Sequence, residues 1–116
     1  SRVIDGEETL TIAGVRANRE FDDCVAIGGA WNADHAAWQI PYGSLLSKNV
    51  DNLLTAGRSL CGEPRMSDLI RVIPNCWVSG QAAGAASATA VRQSCLARDV
   101  DIPTVQTLLR SQGAYL

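Results

Sequence analysis

Two arginines stand beside residues that are typical of anion-binding points in folded chains. Arg58 follows Gly57 at the end of a short apolar run, and Arg71 directly precedes the sequence VIPN. Pro74 is typical of the first turn of a helix, where its missing N–H loses no hydrogen bond. The free N–H groups and the positive dipole end of such a helix start stabilise an anion or a polarised carbonyl. The sequence therefore indicates anion binding near Arg58 and Arg71.

The helix predicted after Pro74 carries almost no side chains. Residues 80–91 include six alanines and two glycines. Alanine favours helix, but each glycine costs about 0.8–1 kcal/mol relative to alanine. Gly80 and Gly84 therefore indicate that something approaches the helix backbone closely, either another backbone or a flat or phosphorylated ligand. A tightly packed core helix with two surface arginines explains the same residues, and the spacing does not choose between these interpretations.

Short elements are predicted around this helix. Residues 53–56 form an apolar run typical of a buried strand, which would end at Gly57. The long helix is predicted over about residues 74–93. A final helix is predicted from Pro103, with an apolar face and a stop at Gly113. The residues predicted on that apolar face are Val105, Leu108 and Leu109.

The N-terminal half predicts short strands and loops. EETLTIAGV is compatible with a strand or a Thr-capped helical turn, and FDDCVAIGGAW with a strand or helix ended by Gly28 and Gly29. WQIPYGS is predicted to be extended, because Ile40 precedes a proline. The strand–helix alternation is too short for a complete doubly wound sheet. The predicted fold class is α/β, as an α+β fragment with short strands, a long Gly/Ala-rich helix and a C-terminal helix.

Composition narrows the classes of function. The chain has 116 residues, a net charge of −2 and no basic block, which argues against nucleic-acid binding. No apolar run is long enough to span a bilayer, and the N-terminus lacks the pattern of a signal peptide. Four cysteines without a C-x-x-C pair, together with one histidine, argue against a metal site. Buried reduced thiols in a cytoplasmic protein are predicted, with a disulfide as the open alternative.

Other reactive side chains are interpreted as structural or solvated. His35, next to Asp34, is a possible acid/base group but has no visible partner. Cys76 lies near a helix start that would activate a thiol, although packing under the helix is favoured. Catalytic residues therefore stay unassigned. The solvated set comprises Arg2, Glu7, Glu8, Asp22 and Asp23.

The segments NLLTAGRS and IRVIPNCWVSGQAAGAAS together resemble the C-terminal part of FAD-dependent oxidoreductases of the glutathione-reductase-like flavoprotein superfamily, which is related to the pyridine nucleotide-disulphide oxidoreductases. SRVIDGEETLT, FDDCVAIGGAWNADHAAW, IPYGSLLSKNVDNLL and VDIPTVQTLLRSQGAYL resemble further segments of this family in the same order. The resemblance covers essentially the whole chain. It implies an incomplete FAD-binding, Rossmann-like domain with flavin redox chemistry in the full-length enzyme.

The resemblance also implies which residues contact FAD. Gly57 and Arg58 would lie near the ribityl-phosphate part, and the segment 71–75 would run past the flavin ring. The backbone N–H groups of residues 80–83 would face the pyrimidine end of the flavin or its chain. Residues 1–50 would belong to a substrate domain, and residues 51–116 would close the FAD-binding domain. The cofactor-contacting residues implied are Gly57, Arg58, Arg71, Val72, Pro74, Gly80, Gln81, Ala82 and Ala83.

Two departures from the family limit what the chain does alone. The loop SLCGEPRMSDLI replaces a His-bearing loop, so its contacts with the flavin are in doubt. The sequence lacks the G-x-G-x-x-G turn that cradles pyrophosphate. An N-terminal FAD-binding part is therefore the expected partner, and the isolated chain should bind FAD weakly or not at all, lack catalysis and self-associate. The alternative is a non-catalytic packing or protein-interaction module.

Overall fold

A long helix packed on a two-stranded sheet forms the centre of the fold. The computed structural model describes residues 2–29 and 37–116. Within these residues the helices are α1 (Ile12–Arg16), α2 (Ser67–Ile70), α3 (Ile73–Gln93) and α4 (Ile102–Ser111), and the strands are β1 (Cys24–Gly28) and β2 (Trp38–Pro41). Single 3-10 turns cover Tyr42–Ser44, Gly57–Ser59, Pro64–Met66 and Ala97–Asp99. The predicted α+β fragment is confirmed.

The first helix starts at a threonine cap. The Gly14 N–H donates to Thr11 Oγ1 at 3.0 Å, which satisfies one of the free donors of the first turn. The Ile12 N–H donates to Glu63 Oε1 at 2.7 Å and so ties α1 to a distant loop. Of the two predictions for this segment, the Thr-capped helical turn is confirmed.

The sheet pairs β1 and β2 antiparallel. Ala26 faces Ile40, and Gly28 faces Trp38. A Cβ atom at Gly28 would lie 2.6 Å from Trp38 Cζ2, so the indole ring requires glycine at this position. The strand prediction for β1 and the extended prediction for β2 are confirmed.

The long helix matches its prediction within one residue. It runs over Ile73–Gln93, with proline in its first turn, and Ser94 ends it in the left-handed conformation at φ 52°. Its inner face packs on β1 and on α4. Small side chains on that face let the helix axis approach the sheet closely. The buried residues are Asn75, Ser79, Ala82, Ala85, Ala86, Thr89 and Ala90.

The C-terminal helix also agrees with the prediction. Asp101 accepts from the Thr104 N–H at 3.0 Å, and proline occupies the first turn of α4. Val105 and Leu109 are buried against the rest of the chain. Gly113 follows the helix at φ 84°, which is the predicted stop.

The predicted strand over residues 53–56 is wrong. Only Leu54 forms a bridge, an isolated antiparallel one with Leu46, and Leu53 is 41% exposed. The Thr55 N–H donates to Leu45 O at 2.9 Å beside this bridge, but within the described residues the pairing does not extend into a strand. The apolar run is therefore a loop that leads into Gly57.

One hydrophobic cluster spans the chain from Leu10 to Leu109. It combines residues of the predicted substrate-domain part (1–50) with residues of the predicted closing part (51–116). The division into these two parts remains a prediction, and in this structure both parts contribute to the same core.

Tyr42 provides a pH test of this core. Its hydroxyl donates to Ala97 O at 2.7 Å, and burial raises the pKa of Tyr42 to about 12. The ordinary pKa is about 10, so Tyr42 stabilises the fold fully below pH ~10, and this contribution is lost as the pH rises to ~12. The two-unit shift corresponds to about 2–3 kcal/mol.

We expect the free energy of unfolding to fall between pH 10 and 12 more steeply in the wild type than in a Tyr42→Phe variant. Urea unfolding followed by circular dichroism in reducing buffer measures both slopes. Tyr115→Phe is the matched control, because Tyr115 is 84% exposed. Equal slopes for wild type and Tyr42→Phe would contradict the role of the buried hydroxyl.

Candidate functional site

Arg58 and Arg71, predicted from the sequence to act together, line the same groove. The groove has a volume of about 570 Å³, and its other lining residues include Glu63, Ser67 and Asp68. Arg58 comes from the turn after Gly57, and Arg71 lies between α2 and α3. The fold therefore brings both predicted anion-binding side chains to one cavity beside the start of α3.

The charges in the groove leave Arg58 as its available cation. The Arg71 Nε lies 3.2 Å from Asp68 Oδ1 in an exposed pair, which contributes little to stability. Glu63 accepts from the α1 backbone and is thereby held in place. Across residues 2–29 and 37–116, Arg58 forms no ion pair and no side-chain hydrogen bond. An anionic ligand would therefore meet an unpaired guanidinium here.

A left-handed glycine and a buried serine hold Arg58 in position. Gly57 has φ 64°, a conformation that glycine adopts without strain. Its N–H donates to Ser79 Oγ at 2.9 Å, and Ser79 Oγ donates to Asn75 O at 2.7 Å. Ser79 thus ties the turn that carries Arg58 to the second turn of α3. Ser79 could not be identified from the sequence, because in a helix of small residues nothing distinguishes this serine from its neighbours.

The start of α3 lacks a side-chain cap. Val72 at the N-cap position offers no acceptor, and Pro74 has no N–H. The first helical hydrogen bond is donated by the Cys76 N–H to Val72 O at 3.2 Å. In the part of the chain that the structure describes, the N–H groups of Ile73 and Asn75 have no acceptor. Ile73 is 61% exposed and Asn75 only 2%, and the positive dipole end of a 21-residue helix lies behind both groups.

Asn75 joins three segments at this helix start. Its Nδ2 donates to Gly29 O at 2.9 Å and to Leu69 O at 2.7 Å, and its Oδ1 accepts from the Gly29 N–H at 3.0 Å. The end of β1, the end of α2 and the first turn of α3 are thereby fixed together. The sequence analysis missed this contact, since nothing in the local pattern shows that this asparagine turns inward.

The predicted contact residues 80–83 lie in the helix interior. Gly80 is the eighth residue of α3, about 10 Å along the axis from Ile73 at 1.5 Å per residue. The backbone N–H groups of residues 80–83 are therefore inside the helix, and the free N–H groups at its start belong to Ile73 and Asn75. Gly80 and Gln81 are exposed, Ala83 is half-buried and Ala82 is fully buried.

No described backbone presses on the two helix glycines. A Cβ atom added at Gly80 or at Gly84 meets nothing within 4 Å. Close packing of α3 on the sheet therefore explains its alanines but not these glycines. Within the described contacts, nothing requires glycine at either position.

The remaining candidates do not converge on a second site. Asp34 and His35 lie outside the described residues. Glu7 pairs with Arg98 and Glu8 with Arg19, while Asp23 accepts from the Gly43 N–H. Arg2 and Asp22 are exposed. Within the described ranges, no three His, Cys, Asp or Glu side chains form a cluster suited to a metal ion.

The four cysteines are free thiols. Cys24 and Cys61 are buried, and Cys76 and Cys95 are half-buried. Burial raises the pKa of the Cys24 thiol, which keeps it protonated and unreactive at neutral pH. The predicted burial therefore holds for Cys24 and Cys61 but not for Cys76 and Cys95, and the reduced state of the thiols stays a prediction. As a separate finding, none of the described helices combines the length and hydropathy needed to cross a membrane.

Comparison with known families identifies the chain. The family model described as FAD dependent oxidoreductase matches residues 1–109. The chain belongs to the FAD-dependent oxidoreductase family. A search of curated proteins and a search of solved structures each gave no significant match.

The groove of this FAD-dependent oxidoreductase chain fits part of its cofactor. FAD carries a negatively charged pyrophosphate and a ring with polar carbonyls. The unpaired guanidinium of Arg58, which lines the groove, suits the first. The described residues that line the groove include Arg71 but none of the residues 72–75 at the start of α3. The groove volume of about 570 Å³ is within the usual range for small-molecule sites. A glycine-rich pyrophosphate cradle is absent from the printed sequence.

Proposed function

We propose that this chain closes the FAD site of an FAD-dependent oxidoreductase. The observation that carries the proposal is the meeting of Arg58 and Arg71 in one groove, beside the uncapped start of α3. The unpaired Arg58 and the uncapped helix start favour a ligand with both phosphate and carbonyl oxygens. The bound flavin would supply electron or hydride transfer.

The chain's own residues would bind and orient the cofactor. Arg58 would pair with a phosphate oxygen, while Gly57 and Ser79 hold its turn against α3. The segment 71–75 would line the flavin ring, and the dipole of α3 would stabilise negative charge on the reduced ring. Contacts from residues 80–83 are part of the prediction from family resemblance. No catalytic residue is assigned.

The proposal includes a partner, because the pyrophosphate cradle must come from elsewhere. An N-terminal FAD-binding part of the same protein would supply it, with residues 1–50 belonging to a substrate domain and residues 51–116 closing the cofactor site. A cytoplasmic location and loss of activity in the isolated chain are part of the same proposal.

A non-catalytic interaction module is the second candidate. It is favoured by the exposure of large apolar side chains on α3, where Trp77 is 72% and Val91 80% exposed. A surface of this kind is typical of a protein contact. The two candidates differ in whether the assembled protein binds flavin.

Flavin titration separates the candidates. We expect the isolated chain to leave the visible spectrum of FAD nearly unchanged. Co-expression with the FAD-binding part should give a complex with a shifted absorbance and quenched flavin fluorescence. Riboflavin, which lacks the phosphates, is the control ligand and should bind more weakly. A well-folded complex without any spectral change would refute the flavin assignment and leave the interaction module.

A further inference from the structure

Glu63 lines the groove with only one of its two carboxylate oxygens engaged. Its Oε1 accepts from the Ile12 N–H at 2.7 Å. In the described part of the chain, Oε2 has no hydrogen-bond donor, and it is not one of the buried atoms that lack a partner, so it is open to solvent. An ionised carboxylate oxygen only accepts hydrogen bonds. A ligand that meets Oε2 must therefore offer an O–H or N–H group.

The backbone on both sides of Glu63 is fixed. The Glu63 N–H donates to Leu10 O at 2.9 Å, and the Leu10 N–H donates to Cys61 O at 3.0 Å. Pro64 then begins a 3-10 turn. Because the Ile12 N–H also holds the side chain, Oε2 is presented in one orientation, and a ligand would order little of the protein on binding.

Glu63 and Arg58 bring opposite charges to the same groove without neutralising each other. Neither of them forms an ion pair within residues 2–29 and 37–116. A ligand that carried only negative charge would be attracted by Arg58 and repelled by Glu63. A ligand with hydroxyl donors beside an anionic group would satisfy both side chains. FAD has this order of groups, since its ribityl hydroxyls directly adjoin a phosphate.

We propose that Glu63 Oε2 accepts a hydrogen bond from a ribityl hydroxyl of FAD, while Arg58 pairs with the adjoining phosphate. This inference rests on the proposed function, and it assigns a contact within the loop 59–70. The ribityl chain is favoured over the ribose of the adenosine half, because Arg71 lines the same groove and begins the segment 71–75 proposed to line the flavin ring. The ring N–H group lies farther from the phosphate than the ribityl hydroxyls do.

Glu63→Gln tests this contact without detaching the loop from α1. The Ile12 N–H needs an acceptor, so the glutamine must turn its Oε1 toward Ile12. Its Nε2 then takes the place of the free carboxylate oxygen and puts a donor where the ligand needs an acceptor. The substitution also removes a negative charge, which by itself would strengthen the binding of an anion. The direction of the change therefore separates a hydroxyl contact from an effect of charge.

Fluorescence titration of the chain assembled with its FAD-binding part measures the effect. Glu63→Gln should raise the Kd of FAD and of riboflavin by about tenfold each, because a hydrogen bond to a charged group is lost. Lumiflavin, which has a methyl group in place of the ribityl chain, should bind the wild type and the variant equally. Asp68→Asn is the matched control, since it removes one negative charge from an exposed side chain of the same groove. It should bind FAD at least as tightly as the wild type.

Three results would overturn the ribityl contact while leaving the FAD site in place. Unchanged or tighter FAD binding by Glu63→Gln would show that Oε2 meets no hydroxyl. An equal loss for lumiflavin would place the effect at the ring or in the fold. A loss for FAD but not for riboflavin would place it at the adenosine ribose. An assembled wild type that binds no flavin would instead refute the proposed function, and this inference with it.

Urea unfolding of the isolated chain checks that the variant keeps its contact with α1. Glu63→Gln should unfold at the same urea concentration as the wild type, because its Oε1 still accepts from the Ile12 N–H. Glu63→Ala, which loses that acceptor, should unfold at a lower concentration. If Glu63→Gln unfolds as early as Glu63→Ala, its weaker flavin binding would be assigned to the fold, and the hydroxyl contact would be overturned.

Discussion

Replacing Arg58 with glutamate should weaken FAD binding to the assembled flavoprotein by at least about tenfold, or 1.4 kcal/mol. Arg58 is exposed at the groove, and no acidic side chain in the described part of the chain neutralises it. A glutamate there would replace attraction for a phosphate oxygen with repulsion, next to Asp68 and Glu63 in the same groove. The loss should shrink as salt is added, because exposed charges are screened. Fluorescence titration of FAD at two ionic strengths measures both effects.

Arg16→Glu is the matched control for this variant. Arg16 lies in the last turn of α1 and is exposed. Its replacement by glutamate changes the net charge of the chain by the same amount as Arg58→Glu. The affinity of the assembled Arg16→Glu variant for FAD should stay close to that of the wild type. Equal losses in the two variants would mean that only overall charge matters, and the assignment of Arg58 to the cofactor groove would fail.

Replacing Asn75 with leucine should lower the free energy of unfolding by about 2–4 kcal/mol. The side chains have similar volumes, so little cavity forms. The variant leaves the Leu69 carbonyl without its donor in a buried setting and frees both backbone groups of Gly29. Chemical unfolding followed by circular dichroism, at a concentration where the chain is monomeric, gives the change.

Thr89→Val is the control for loss of a buried polar group on the same helix. Thr89 Oγ1 donates to Ala85 O at 2.8 Å within α3, so its removal disconnects no other segment. We expect this variant to lose about 1 kcal/mol or less. A change in Asn75→Leu no larger than that of Thr89→Val would show that the contact with Gly29 and Leu69 contributes little.

The helices could be predicted because their signals are local. Each signal acts within a few residues of the hydrogen bonds that it forms or prevents. The signals are proline in the first turns of α3 and α4, the Thr11 cap of α1, and Gly113 after α4. Helical hydrogen bonds close over four residues, so a short window of sequence contains nearly all the information. The groove pair Arg58 and Arg71 was predicted for a similar reason, since Arg58 directly follows Gly57 and Arg71 lies three residues before Pro74.

The strand predicted over residues 53–56 failed because a strand needs partners that are distant in sequence. An apolar run has the composition of a strand, but its hydrogen bonds depend on what lies beside it. Here the fold places only Leu46 opposite Leu54, with backbone hydrogen bonds from Thr55 to Leu45 and from Ser47 to Leu53 on either side of this single bridge.

The sequence by itself determined that α3 is a helix of small residues and that Arg71 lies close to its start, whereas the fold brought Arg58 into the same groove. Only the tertiary structure decided which face of α3 is buried, because small residues lie on both of its faces and the periodic contrast that marks a core face is weak. Packing on β1 turned Gly80 and Gly84 outward and turned Asn75 and Ser79 inward. These orientations depend on contacts across dozens of residues, which no local pattern contains.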